Sequence, residues 1–131
     1  MVVLVMRKVS IVSFVCLSLA LSTPGLAANS NHQITKSPTH KIIKVSAERF
    51  AFFPMEITVE KGTVIEFHLT SEDTDHGFRI IGTDVDVQIP KRRRGETVVT
   101  YTADTAGRFI IECSRPCGAG HTAMRATLIV K

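Results

Sequence analysis

The residues that could do chemistry are concentrated near the C-terminus. Two cysteines, Cys113 and Cys117, are followed by His121 and Met124 in the pattern C-x3-C-x3-H-x2-M. Thiolate, imidazole and thioether are soft or borderline ligands, which suit copper rather than magnesium or calcium. A further imidazole, His76, stands upstream in a predicted loop between two strands. The sequence therefore predicts a transition-metal site built from these side chains.

The same donors are compatible with several kinds of site. Two thiolates can bridge a pair of copper ions, each completed by one histidine and one weak axial ligand, Met124 or a loop carbonyl. A Cys2His2 zinc site would use the four strong donors and give Met124 no role. A mononuclear blue copper site would leave Cys113 unused. A plain disulfide is the remaining alternative, because paired cysteines outside the cytoplasm tend to oxidise.

The elements that must position these donors are typical of β-strands. Residues 63–70 alternate, with Ile65 and Phe67 on one face and Glu66 and His68 on the other. Comparable runs occupy residues 41–47, 50–53, 55–60, 77–81, 85–89, 96–103, 108–113 and 123–130. No convincing helical period is present. Short strands at this spacing predict an all-β antiparallel sandwich or barrel, with the cysteine-containing loop held by a strand at each end.

The N-terminus has the order of a secretory signal, in which a basic pair precedes an apolar run and small residues follow it. The run, residues 9–21, is shorter than the roughly 20 residues that span a bilayer. Residues 1–27 are therefore predicted to be a signal peptide, with a short uncleaved anchor as the alternative. Residues 28–40 read as a flexible lead-in, and residues 41–131 as the domain. We expect a periplasmic or otherwise extracytoplasmic protein, secreted across the inner membrane or anchored to it.

Composition narrows the function classes. The 131 residues are 44% apolar and 21% charged, which is typical of one globular domain. Trp is absent and Tyr occurs once, so there is little aromatic surface for stacking bases, and no nucleic-acid partner is expected. The net charge is +4. One basic run reads as a solvated loop, with docking to an anionic partner or the membrane surface as the alternative; it consists of Lys91, Arg92, Arg93 and Arg94.

The spacing of the cysteine-containing loop, together with the upstream histidine, resembles the binuclear copper A (CuA) site. That site occurs in subunit II of haem-copper cytochrome c oxidases and in nitrous oxide reductase. The segments Asp75-His76-Gly77-Phe78 and Gly107-Arg108-Phe109 also resemble the soluble domain of subunit II, and the resemblance covers residues 42–131. It implies a cupredoxin fold, a Greek-key β-sandwich, which agrees with the predicted strands.

The resemblance also implies a ligand set and a function. The implied ligands are Cys113 and Cys117 as bridges, His76 and Met124 on one copper, and His121 and the carbonyl of Arg115 on the other. The implied function is one-electron transfer in a respiratory chain, by a relay subunit that is not catalytic alone. A c-type cytochrome or other periplasmic donor and a haem-copper oxidase subunit I would be the partners. A copper-handling protein (chaperone, store or sensor) and a mononuclear blue copper protein are the alternatives.

The chain departs from the family pattern in three ways. Arg115 stands where the family often has a glutamate that helps to bind magnesium, although a carbonyl ligand at this position would be unaffected. The tryptophan-rich patch that admits electrons from cytochrome c is missing, since Trp is absent. At most one short apolar segment precedes the domain, where the family usually has two transmembrane helices.

Overall fold

The computed structural model describes residues 37–131. The predicted signal peptide, residues 1–27, and the predicted lead-in up to residue 36 lie outside the described residues. Within the described range no helix has the length and apolar character needed to cross a membrane. The elements of this range are strands and one short 3-10 helix: β1 (His40–Glu48), β2 (Ala51–Phe53), β3 (Glu56–Val59), β4 (Val64–Ser71), β5 (His76–Ile80), β6 (Asp86–Ile89), β7 (Thr97–Thr102), β8 (Gly107–Glu112), the 3-10 helix (His121–Ala123) and β9 (Arg125–Val130).

The strands form two sheets, which confirms the predicted all-β sandwich. One sheet has the order β2-β1-β4-β7 and the other the order β3-β9-β8-β5-β6. The expected antiparallel pairing holds for five of the seven described strand pairs, but β1 pairs with β4 and β3 pairs with β9 in parallel. Alternation along a strand specifies which face is buried, but it carries no information on the direction of the neighbouring strand.

Aromatic packing in the core fixes the strand that begins at His76. Phe78 lies on β5, and its ring centroid is 5.2 Å from that of Phe67 on β4 and 5.9 Å from that of Phe52 on β2. All three rings are fully buried. Each contributes about 1.5–3 kcal/mol by its removal from water. His76 lies two residues before Phe78, so the packing of that ring fixes the backbone position of His76.

The two predicted donor segments emerge at the same end of the second sheet. Strands β5 and β8 are neighbours, with Arg79 opposite Glu112. Strand β9 lies on the other side of β8, with Glu112 opposite Arg125. The Cys113 amide donates a hydrogen bond to the Met124 carbonyl at 3.2 Å. The loop between β8 and β9 is therefore closed at its base and held beside the start of β5.

A second polar cluster lies on the outer face of the four-stranded sheet. His68 on β4 contacts two carboxylates: its Nε2 is 2.6 Å from Glu66 Oε1, and its Nδ1 is 3.2 Å from Glu96 Oε1. The hydrogen bond with Glu66 is the main reason that the pKa of His68 lies above its ordinary value, and Glu96 adds to the effect. The His68 ring thus links β4 to Glu96, the residue that precedes β7.

This cluster predicts a pH-dependent part of the stability. A histidine whose pKa is raised by folding stabilises the protein below its unfolded pKa, and this contribution disappears as pH rises through the folded pKa. The variant His68→Asn should therefore lose more stability at about pH 6, where histidine is largely charged, than at about pH 9, where it is neutral. Urea unfolding of both proteins across that range measures the difference, and a difference that does not vary with pH would contradict the assignment.

Candidate metal centre

The predicted metal ligands of the two donor segments converge at one end of the sandwich. One donor atom from each of His76, Cys113 and Cys117 lies within 4.8 Å of the others, and all three side chains are buried. His76 is the first residue of β5, and the cysteines belong to the β8–β9 loop. Residues far apart in sequence therefore meet because neighbouring strands of one sheet deliver them to the same edge.

The two cysteines face each other as thiols. Their sulfurs are 3.7 Å apart, whereas a disulfide bond is about 2.05 Å long. Both cysteines are unoxidised and buried, so the disulfide alternative is not what the structure contains. A pair of sulfurs at this separation leaves each able to contact a shared metal ion.

Each sulfur has its own imidazole. His76 Nδ1 lies 3.9 Å from Cys113 Sγ, and His121 Nδ1 lies 3.9 Å from Cys117 Sγ. The thioether of Met124, which is fully buried, is 3.9 Å from Cys117 Sγ. His121 and Met124 thus extend the three-residue cluster from its Cys117 side, and His76 extends it from its Cys113 side.

The remaining predicted position also belongs to the cluster. The carbonyl oxygen of Arg115 lies 3.1 Å from Cys113 Sγ, while the Arg115 side chain is exposed to solvent. All six residues predicted from the sequence therefore lie together in the structure. Which of them bind metal stays a prediction.

Asp73, to which the sequence analysis assigned no role, orients the upstream histidine. Its Oδ1 is 2.7 Å from His76 Nε2. An ionised carboxylate only accepts hydrogen bonds, so Nε2 donates to Asp73, and Nδ1 faces Cys113. Partial burial alone would raise the pKa of Asp73, but the hydrogen bonds from His76, Thr74 and Arg49 outweigh it and lower the pKa. The carboxylate therefore stays charged and keeps the ring in a ligating orientation.

The turn between β1 and β2 supports the loop from the other side, a contact that sequence reasoning missed. Arg49 Nε donates to the Cys117 carbonyl at 3.0 Å, and the Arg49 amide donates to Asp73 Oδ2 at 3.0 Å. The ring of Phe50 lies against Gly118 and Gly120, and a Cβ built on Gly120 would overlap it. Glycine is required at Gly120 because the ring occupies the space of a side chain.

A close approach between backbones locks the two donor segments together. The Gly77 amide donates to Cys113 Sγ at 3.4 Å, so the start of β5 contacts the loop directly. A Cβ on Gly77 would lie 2.7 Å from the Ser114 amide nitrogen and 2.8 Å from that of Arg115. The hydroxyl of Ser114 in turn donates to Asp86 Oδ1 at 2.5 Å. The absence of a side chain at position 77 is therefore what lets the loop reach His76.

Burial changes the protonation of the Cys117 thiol. Desolvation, with a smaller contribution from Cys113, raises the pKa of Cys117 to about 11. The thiol is therefore protonated at neutral pH when no metal is bound. Because thiolates are the ligating form, metal binding must release protons and should weaken as the pH falls.

The chain is similar in sequence to subunits of cytochrome c oxidase. No family model matches the chain. Two proteins described as cytochrome c oxidase subunit 2, both from Thermus thermophilus, are each 35% identical over 99 residues, which is 75% of this chain. The match spans 71% of the length of one relative and 57% of the other.

Solved structures extend the likeness to the fold. A heme-copper terminal oxidase dimer contains a chain with 26% identity and a TM-score of 0.59, covering 75% of this chain and 68% of that one. The periplasmic domain of subunit II of the Bradyrhizobium japonicum cytochrome oxidase has 20% identity and a TM-score of 0.61, with 69% and 83% covered.

Auracyanin A, a "blue" copper protein from Chloroflexus aurantiacus, has 16% identity and a TM-score of 0.57, with 70% and 99% covered. The two-sheet sandwich is therefore cupredoxin-like. Its buried cluster of histidine, two cysteines and methionine is a donor set consistent with copper. From the extent of the sequence identity, the chain belongs to the cytochrome c oxidase subunit 2 family.

Proposed function

We propose that this domain binds a pair of copper ions and relays single electrons in a respiratory chain. The observation that supports it is the pairing of each buried sulfur with its own imidazole, at 3.9 Å in both cases, while the sulfurs lie 3.7 Å apart. A single ion would leave part of this set unused. A zinc site of four strong donors would give no role to the thioether buried against Cys117.

The residues of the cluster would each bind one or both of the two copper ions. Cys113 and Cys117 would bridge both ions, as their facing sulfurs allow. The family resemblance implies His76 and Met124 on one copper, and His121 with the carbonyl of Arg115 on the other. A thiolate-bridged copper pair takes up and releases one electron with little change in geometry.

The protein keeps these ligands still. Asp73 fixes the His76 ring, Arg49 fixes the loop carbonyl of Cys117, and the closed base of the loop fixes its two ends. Donors that do not rearrange lower the cost of moving an electron, and donors that occupy every position leave none for a substrate. The domain is therefore proposed as a relay and not as an enzyme acting alone.

The partners and the location are part of the same proposal. A c-type cytochrome or another periplasmic carrier would supply the electron, and a haem-copper oxidase would receive it. Two similar structures support this, since one is described as a terminal oxidase and the other as a periplasmic domain of subunit II. The signal-like N-terminus supports a place outside the cytoplasm.

Metal stoichiometry and electron paramagnetic resonance test the proposal. The purified protein, with its cysteines kept as thiols until copper is added, should hold two copper ions per chain. Its signal should show hyperfine coupling shared equally by two copper nuclei. One copper per chain with coupling to a single nucleus would indicate a blue copper or copper-handling protein instead. Tight retention of zinc in the presence of copper would also contradict the proposal.

A further inference from the structure

The densest run of positive charge in the chain forms an exposed turn between β6 and β7. We call residues 91–94 the basic turn; its members are Lys91, Arg92, Arg93 and Arg94. All four are exposed, and the Arg94 amide bonds to the Lys91 carbonyl at 3.0 Å. Of these four side chains, only that of Arg92 forms an ion pair within residues 37–131, a long contact of 4.0 Å with Glu72. The other three charges are therefore available to a partner.

The basic turn is attached to the loop that carries the upstream histidine. Ile89, at the end of β6, is the register partner of His76. Just beyond it, the Lys91 amide donates to Asp75 Oδ1 at 2.8 Å and the Arg92 amide donates to the Asp73 carbonyl at 3.3 Å. Backbone hydrogen bonds therefore hold this positive charge at the metal end of the sandwich.

Two more cations from other segments lie at the same end. The side chain of Arg49 is 52% exposed, although its Nε bonds to the Cys117 carbonyl and lies 3.9 Å from Asp73 Oδ2 in an ion pair. The side chain of Arg115 is exposed within the β8–β9 loop and has no ion pair in the described part of the chain. The negative charges of Asp73 and Asp75 offset some of this positive charge. Both carboxylates, however, accept hydrogen bonds from the backbone amides of Arg49 and Lys91. The metal end therefore presents cations from three separate segments.

We propose that the basic turn, with Arg49 and Arg115, is a docking surface for an acidic electron-carrier protein. The proposal rests on the proposed function. In the docked complex the reduced carrier loses one electron and the copper-loaded domain gains it, and no bond forms or breaks. Electron transfer needs the carrier's cofactor close to the metal, and a charged rim around that end both attracts and orients an oppositely charged protein.

The charge pattern favours a protein over a lipid surface. Glu72 and Asp75 stand directly beside the basic turn, and Glu72 is exposed. A uniformly anionic membrane would repel these carboxylates, whereas a protein can place its own mixed charges to match them. A membrane lying against this end would also cover the loop through which the electron must enter.

Removing the three charges without ion pairs tests the surface. In the full-length protein, the combined variant Lys91→Gln, Arg93→Gln and Arg94→Gln should bind an acidic c-type cytochrome about tenfold more weakly at low salt. Calorimetric titration of the copper-free protein with the cytochrome measures this change in affinity. In the copper-loaded protein, stopped-flow reduction by the same cytochrome should slow by a similar factor and become less sensitive to salt.

A matched variant removes equal charge from the opposite end of the sandwich. Lys41 pairs in register with Ile65 near the start of β4, and the Lys61 amide bonds to the Lys131 carbonyl. The combined variant Lys41→Gln, Lys61→Gln and Lys131→Gln should bind the cytochrome as the unmodified protein does.

Three results would overturn the docking surface: no binding of the acidic cytochrome by the unmodified protein, equal weakening in both variants, or binding only to phosphatidylserine vesicles. The copper content and spectrum of each variant are measured separately. A protein that lacks the two-copper signal but binds the cytochrome through the basic turn would contradict the proposed function and not the docking surface.

Discussion

Replacing Cys113→Ser or Cys117→Ser should each abolish the two-copper signal. A serine hydroxyl remains protonated and is a harder donor than a thiolate, so it cannot bridge copper ions. Each single variant keeps one sulfur with its imidazole 3.9 Å away, and should therefore retain at most one copper per chain. Copper analysis with electron paramagnetic resonance of the purified variants provides the measurement.

The control for this experiment is a histidine outside the cluster. His68 lies on β4 in the other sheet, and within residues 37–131 its ring nitrogens contact only Glu66 and Glu96. The variant His68→Ala should keep the copper content and the spectrum of the unmodified protein. A two-copper signal that survives either cysteine replacement, or that is lost with His68→Ala, would show that the ligand set is wrong.

The variant Gly77→Ala should both destabilise the fold and weaken copper loading. Its added methyl group would lie 2.7 Å from the Ser114 amide nitrogen and 2.8 Å from that of Arg115, and it would also overlap the Ser114 hydroxyl. The amides are backbone atoms and cannot turn away, so the loop must shift. Overpacking of this kind costs about 1–3 kcal/mol, and the shift would move Cys113 relative to His76.

Urea unfolding of the metal-free protein measures the stability change, and copper titration measures the loading. Thr122→Ala serves as a control, because Thr122 is exposed in the same loop, and surface changes of this kind usually stay within about 0.5 kcal/mol. A Gly77→Ala protein as stable as the Thr122→Ala control would mean that the backbone approach is looser than the structure has it.

Much of the fold could be predicted from alternation alone. Strand β4 was expected at residues 63–70 and occupies Val64–Ser71, because a half-buried strand must place apolar residues at every second position. The parallel pairing of β1 with β4 could not be predicted in this way. It depends on how the intervening strands are divided between two sheets, which no local pattern records.

The cluster itself was predictable because its donors are chemically distinctive, and because His121 and Met124 follow the cysteines at short intervals. The supporting contacts were not. Arg49 is a common surface residue, and only folding brings it 3.0 Å from the carbonyl of Cys117, 68 positions away. Asp73 is three residues from His76, so an ion pair could have been suspected, but a carboxylate beside a histidine is ordinary in a surface loop.

The closed base of the β8–β9 loop has a consequence for how such proteins can change over time. Glu112 faces Arg125 across the sheet, and Cys113 bonds to Met124, so the segment between them enters and leaves the framework at one point. Residues gained or lost inside that segment would not displace the strands that carry it. A change in the length of this segment would therefore alter the donors that it presents, while the pairing of β8 with β9 could stay as it is.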